Sequence, residues 1–142
     1  MEKLREKVEH LDRIILSMQR KIRRNLLNEL TLGKISIPQF HILSYLLEKK
    51  KAIMVELAKF MGVSASAITN LVDGLANMEL IKREYSPYDR RIIIASLTEK
   101  GKKVILKIKH QFEELLGKIL KEFTPEEREK LLELSEKMEK LL

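Results

Sequence analysis

Glu56-Leu57-Ala58-Lys59-Phe60-Met61-Gly62-Val63-Ser64-Ala65-Ser66-Ala67-Ile68-Thr69-Asn70-Leu71 is the stretch on which the fold turns. Ala58 is small where a second helix has to cross a first, and Gly62 accepts the positive φ by which a chain leaves a helix sharply. Val63 fills the corner and Ser64 is a favourable N-cap. Ile68, Leu71, Val72 and Leu75 then recur at helical spacing and give the second helix one buried face, leaving Ser66, Thr69, Asn70 and Asp73 on the other. Two short helices crossing at such a corner are a helix-turn-helix. Short polar side chains on the first turns of its second helix suit base edges and phosphates in a major groove. Taken singly, Ser66 or Thr69 also fits an ordinary solvated helix face. The recognition helix is expected over about 65–78. Its predecessor lacks a side-chain cap, because Ile53 stands where a Ser or Thr is common.

Downstream, Ile81 to Tyr85 and Arg91 to Leu97 are β-compatible runs on either side of Ser86-Pro87-Tyr88-Asp89-Arg90, a turn-rich loop. That is the signature of a hairpin. Lys82, Arg83, Arg90 and Arg91 gather positive charge there against Glu84 and Asp89. An arginine at a hairpin tip can enter a narrow minor groove, where the potential is most negative. Asp89 either holds a neighbouring arginine in one rotamer or caps its own turn. A helix-turn-helix followed by a charged hairpin, here over about 81–97, is a winged helix.

Away from this unit the chain reads as amphipathic helix. Leu4, Val8, Leu11, Ile15, Met18 and Ile22 form one long apolar stripe. Thr98 to Phe123 reads as a continuous helix carrying Ile105, Ile108, Phe112, Leu115, Ile119 and Phe123. Thr124-Pro125-Glu126-Glu127 then combines an N-cap, a proline in the first turn and a capping-box glutamate, so a new helix starts there with Leu131, Leu134, Met138 and Leu141 on one face. These stripes exceed what a small winged helix can cover, and a symmetric dimer would bury them. A monomeric bundle in which the stripes cover one another is the alternative. The fold class is therefore mainly α with a small β-hairpin wing: a winged helix-turn-helix with long N- and C-terminal dimerisation helices. The expected organisation is an N-terminal dimerisation helix in 1–35, a DNA-binding lobe in 36–97, and helices completing the dimer interface in 98–142.

The 142 residues can bury one core but not two independent ones. Lys and Arg total 28 against 21 acids, a net charge of +7, which favours a polyanionic partner. Arg20, Lys21, Arg23 and Arg24 cluster, Lys49-Lys50-Lys51 precedes the helix-turn-helix, and from Gln111 onward acids outnumber bases. The basic excess thus lies near the proposed DNA face, although a lysine run is commonly just solvated surface.

Leu57-Ala58 through Leu75, the tip Asp89-Arg90-Arg91, the sequel Leu97-Thr98-Glu99-Lys100-Gly101, and Ser36-Ile37-Pro38-Gln39-Phe40-His41-Ile42-Leu43 together resemble the MarR (multiple-antibiotic-resistance regulator) family. They look like that family's helix-turn-helix, its Asp-x-Arg wing, its Leu-Thr-x-x-Gly sequel, and the helix ahead of the DNA-binding unit. The resemblance implies a homodimeric winged-helix transcriptional regulator, usually a repressor, on a pseudo-palindromic operator. It points to Ser64, Ser66, Thr69 and Asn70 for the major groove and to Arg91 for the minor groove. Lys82, Arg83 and Arg90 join them as candidate DNA contacts through the charge of the wing. Where the family often has basic or long polar residues, this chain has Asn70 and Gly74, so no base preference carries over. Gly74 costs roughly 1 kcal/mol against alanine inside a helix, which close packing or pliancy would explain. The family's effectors are small lipophilic or anionic molecules lodged between the dimer helices and the lobe, which marks Ile15, Gln19, His41 and Tyr45 as candidate contacts. Core packing explains Ile15 and Tyr45 equally well.

Without cysteine there is no disulfide, thiolate metal site or thiol switch. His10, His41 and His110 have no paired ligand spacing, so neither a metal nor another cofactor is expected. No apolar run approaches membrane-spanning length and no signal core follows Met1, which leads to a cytoplasmic expectation. No glycine-rich phosphate loop, nucleophile elbow or close His-carboxylate set suggests an enzyme. A non-specific architectural DNA-binding protein and a winged-helix protein-interaction module are the competing readings. The first would bind scrambled DNA equally well, and the second would show little salt-sensitive affinity for DNA.

Overall fold

The computed structural model describes residues 1–30 and 34–142, the side chains of 27–30 excepted, and residues 31–33 of the expected N-terminal segment 1–35 therefore lie outside the described residues. In chain order the described elements are α1 (Glu2–Leu30), α2 (Ile37–Lys49), β1 (Lys51–Ile53), α3 (Met54–Met61), α4 (Ala65–Asn77), β2 (Ile81–Tyr85), β3 (Ile93–Leu97), α5 (Glu99–Lys121) and α6 (Pro125–Leu141). They fall into two units, Met1–Ile108 and Lys109–Leu142. The architecture is mainly helical with a small sheet, a winged helix-turn-helix.

The local signals act where they stand. Ser36 caps α2 through a capping box, its Oγ accepting from the Gln39 N–H at 3.2 Å while Gln39 Oε1 accepts from the Ser36 N–H at 2.9 Å. Ile53 starts α3 without a side-chain cap. Gly62 ends α3 in the left-handed region at φ 65, and Ser64 Oγ accepts from the Ala67 N–H at 3.2 Å to begin α4. Leu57 of α3 and Ile68, Val72 and Leu75 of α4 are sealed in one core with Ile42, Leu43 and Leu46 of α2, and Val63 and Ala58 pack against it. Each large aliphatic so buried stabilises by about 1.5–3 kcal/mol.

The sheet is larger than a hairpin. β3 is central, with β2 antiparallel on one side and β1 antiparallel on the other, in the order β1-β3-β2. Ile81 faces Leu97, Arg83 faces Ala95 and Tyr85 faces Ile93, while Ala52 faces Ala95 from the other edge. Lys49-Lys50-Lys51 is accordingly a structural joint as well as a charge run. Lys50 adopts a left-handed φ of 72 at the end of α2, its N–H donating to the Leu46 carbonyl at 2.9 Å, and Lys51 opens β1. The second wing strand begins at Ile93, which leaves Arg90 and Arg91 in the turn.

The start of α5 is locked onto the chain between α4 and β2. Glu79 takes a left-handed φ of 61 there, an uncommon conformation for a residue other than glycine. Thr98 Oγ1 donates to the Glu79 carbonyl at 2.6 Å and accepts from the Gly101 N–H at 2.9 Å, while the Thr98 N–H donates to the Leu80 carbonyl at 3.1 Å. Gly101 sits so close that a Cβ there would lie 1.9 Å from the Leu80 oxygen and 2.8 Å from its carbonyl carbon. Beyond this joint Ile105 and Ile108 enter the same core, so α5 belongs to the lobe through its first turns.

In the second unit, Thr124 and Glu127 form the expected capping box, with Thr124 N–H to Glu127 Oε1 at 2.9 Å and Glu127 N–H to Thr124 Oγ1 at 3.2 Å. Arg128 Nε donates to the Leu120 carbonyl at 2.7 Å and ties the two helices across their turn. No residue of α6 is buried.

Gly101→Ala is expected to destabilise the chain by about 3 kcal/mol, because the added methyl meets backbone that cannot swing aside. Urea unfolding checks this; a loss below about 0.5 kcal/mol would mean that the joint is pliable.

Candidate nucleic-acid interface

The polar face of α4 is fully presented. Ser64, Ser66, Thr69 and Asn70 are all exposed, on the side opposite Ile68, Val72 and Leu75. Ser64 Oγ lies 3.3 Å from Ser66 Oγ, and Thr69 Oγ1 donates to the Ala65 carbonyl at 2.9 Å. Further along, Gly74 is a close-packing position. A Cβ there would stand 2.7 Å from Gln39 Nε2, which donates to the Leu71 carbonyl at 3.3 Å. Because the other end of that amide is bound in the α2 capping box, Gln39 connects the start of α2 to the middle of α4. Of the two explanations left open for Gly74, the geometry favours close packing.

Around the wing tip the side chains organise the backbone. Ser86 N–H donates to the Ile92 carbonyl at 2.8 Å, Ile92 N–H to the Asp89 carbonyl at 3.0 Å, and Tyr88 N–H to Ser86 Oγ at 3.2 Å. Asp89 does both things that the sequence left open. Its Oδ1 accepts from the Arg91 N–H at 2.9 Å and from Arg91 Nε at 3.2 Å, and its Oδ2 accepts from Arg91 Nη2 at 3.2 Å. The carboxylate thus caps the turn and grips the guanidinium along one edge. Arg91 nonetheless remains 91 % exposed, so its other donors face solvent. The Arg91 side chain, and after it the Arg91 backbone N–H, hold the Asp89 carboxyl below its ordinary range. A lowered carboxylate pKa means that the charged clamp is complete above the ordinary range. It is lost only as pH falls through the lowered value.

The remaining wing cations are placed differently. Arg83 Nη1 donates to Asp73 Oδ1, joining β2 to the recognition helix. Lys82 Nζ lies 3.7 Å from Glu84 Oε1 on the outer face of the sheet, and Arg90 is exposed in the turn. Lys100 Nζ donates to the Met78 carbonyl at 3.1 Å, at the end of α4. Arg83, a candidate DNA contact, is thus paired with an acid ten positions earlier across a turn, and its side chain is 35 % exposed.

Of the candidate effector residues, Tyr45 lies against Phe60 with ring centroids 4.4 Å apart and planes tilted by 37°, and packs against the core. His41 is exposed and edge-on to Phe40 at 5.5 Å. Ile15 and Gln19 are exposed on α1. A shallow concavity of about 440 Å³ on α1 is lined by His10, Arg13, Ile14, Ser17, Met18 and Lys21, a set that includes none of the four candidates. Among the described residues no group of three or more His, Asp or Glu could hold a metal ion, and no helix is long and apolar enough to cross a membrane.

Comparison with known proteins bears on this arrangement. The MarR family model matches residues 35–93, which span α2, the helix-turn-helix, β2 and the wing turn as far as the first residue of β3. An uncharacterised HTH-type transcriptional regulator of Bacillus subtilis, YpoP, is 37 % identical over 117 residues, covering 82 % of this chain and 83 % of that protein. Among solved structures, a MarR family protein from Bacillus stearothermophilus superposes with a TM-score of 0.83 at 26 % identity, over 99 % of this chain and 96 % of that one. A mutant MarR from E. coli, complexed with operator DNA, gives a TM-score of 0.72 at 26 % identity, over 93 % and 95 % of the two chains.

Replacing Arg91 by Ala is expected to weaken binding to duplex DNA about ten-fold or more at matched salt. Stability should stay within about 0.5 kcal/mol of the parent, since the side chain has no core contact. Asp89→Asn, which leaves the arginine in place but releases its grip, should weaken binding less. Fluorescence titration of the purified variants decides; parental affinity in Arg91→Ala would remove the wing from the interface.

Proposed function

The chain belongs to the MarR family of transcriptional regulators, and on that premise we propose that it is a homodimeric, sequence-specific repressor that binds an inverted-repeat operator. The observation that carries the DNA-binding part is the presence, on one lobe, of an exposed polar recognition helix and a wing arginine fixed by Asp89. Two such lobes related by a two-fold axis would place their recognition helices in successive major grooves, roughly 34 Å apart, with the wings in flanking minor grooves. Phosphate contacts from Lys and Arg would supply much of the affinity, so binding should fall steeply with salt.

Dimerisation rests on apolar surface that a single chain leaves in water. Leu4 and Val8 of α1 are 65 % and 58 % exposed, and Leu134 and Met138 of α6 are 47 % and 48 % exposed. Contiguous stripes of this kind mark an association surface. In this reading residues 1–35 and 98–142 supply the dimer interface and 36–97 the DNA-binding lobe, with α5 rooted in the lobe through Ile105 and Ile108. The protein works in the cytoplasm, without catalysis of its own. Release by a small lipophilic or anionic effector belongs to the same proposal. Such a ligand acts only through different affinities for the DNA-competent and DNA-incompetent arrangements. His41 and Gln19 are the residues to vary first, because Tyr45 also serves the core.

The double variant Val8→Glu, Leu11→Glu should keep its helical circular dichroism and sediment as a monomer where the parent sediments as a dimer. Its affinity for operator DNA, isolated by selection from a random duplex library, should fall about a hundred-fold with the loss of bivalent engagement. A variant that stayed dimeric would move the interface away from α1. A parent that bound selected and scrambled duplexes equally would be an architectural DNA binder.

A further inference from the structure

The recognition helix contains no lysine or arginine: from Ala65 to Asn77 its only charged residue is Asp73. Guanine shows the major groove two acceptors, N7 and O6, and the side chains that satisfy both are Arg and Lys. Two cations beside the helix already have partners within the lobe. Arg83 is bound to Asp73, and Lys100 to the Met78 carbonyl. Lys59 lies on α3, the helix that in such units crosses the backbone. Gly74, one turn on from Asn70, has no side chain, and a Cβ there would point at the Gln39 amide of α2.

Beside the Ser64 and Ser66 hydroxyls, which suit either kind of pair, the exposed face carries adenine and thymine chemistry. The Asn70 amide has a donor and an acceptor side by side, which match N7 and N6 of adenine; set against guanine, its carbonyl would face O6. Thr69 has its hydroxyl hydrogen bound to the Ala65 carbonyl, so it presents its γ-methyl and an acceptor lone pair. Ala65 is exposed one turn earlier and presents a second methyl. Methyl groups of Ala and Thr are apolar partners for the thymine methyl. Asp73 is the one carboxylate on the helix that could accept from cytosine N4, and its Oδ1 is taken by Arg83.

We infer that the major-groove part of this chain's operator half-site is built of A·T pairs, with Asn70 reading one adenine bidentately and the methyls of Ala65 and Thr69 meeting thymine methyls. The inference rests on the DNA-binding reading above and adds the class of sequence that is read.

The test begins with the sites enriched from a random duplex library by the full-length parent. Each half-site should contain an invariant adenine. Replacing that adenine by 7-deazaadenine should weaken the parent about ten-fold, yet leave the affinity of Asn70→Ala unchanged. Replacing the neighbouring thymines by uracil should weaken the parent by a smaller factor and affect Thr69→Ser less. Enriched inverted repeats whose half-sites centre on invariant G·C pairs would overturn the inference while leaving the regulator reading intact. A 7-deazaadenine effect of equal size in the parent and in Asn70→Ala would overturn the assignment of Asn70. Failure to enrich any sequence would remove the regulator reading, and this inference with it. The base analogues act on the DNA, so the parent's own response to them does not depend on how any variant folds.

Discussion

The close approach of Gly101 to the Leu80 carbonyl is the constraint on which the rest of the lobe depends. At that joint the end of α4, the start of β2, the end of β3 and the start of α5 meet, and Thr98 bonds to three of the backbone groups that define it. Glu79 can hold its left-handed conformation because Thr98 Oγ1 takes up its carbonyl and Lys100 that of Met78. Through this joint the recognition helix and the wing are tied together within one compact unit. A binding surface of that kind suits the spaced grooves of a duplex, because little ordering remains to be done on binding.

Electrostatics in this lobe orients more than it attracts. Two carboxylates stand on the proposed DNA face, and each is matched to one arginine: Asp73 to Arg83 and Asp89 to Arg91. Exposed ion pairs of this type contribute little to folding. Their effect is to fix a guanidinium in one rotamer before a partner arrives. For Arg91 the fixed guanidinium still faces solvent. For Arg83 the pair joins β2 to α4, with the side chain still 35 % exposed. The general attraction for a polyanion is left to the dispersed lysines and arginines, including the exposed run Arg20, Lys21, Arg23 and Arg24.

Much of this was legible in the sequence because its causes are local. Gly62 followed by Ser64 gives a helix end and a helix start within three residues, and Thr124-Pro125 with Glu127 does the same for α6. The turn between Tyr85 and Ile93 announces itself through Pro87 and Asp89. What was not legible depends on partners far along the chain. β1 is only three residues long and sits behind a lysine run, and it exists as a strand through its pairing with β3. Lys50 and Glu79 adopt left-handed backbone without the glycine that would have signalled it. Gly74 looks like a helix defect until Gln39, from another helix, is placed against it. Nothing local in the sequence pairs Arg83 with Asp73, ten positions earlier on another element.

Two identical lobes held at a fixed separation are the centre of the functional reading, and helical phasing of the DNA probes that separation directly. The measurement is the affinity of the parent for a selected inverted repeat and for the same duplex with about half a helical turn, roughly five base pairs, inserted at its centre. The expected result is a fall to the affinity of an isolated half-site, because the second recognition helix then faces the wrong side of the duplex. Undiminished affinity for the out-of-phase duplex would contradict a symmetric reader of fixed spacing.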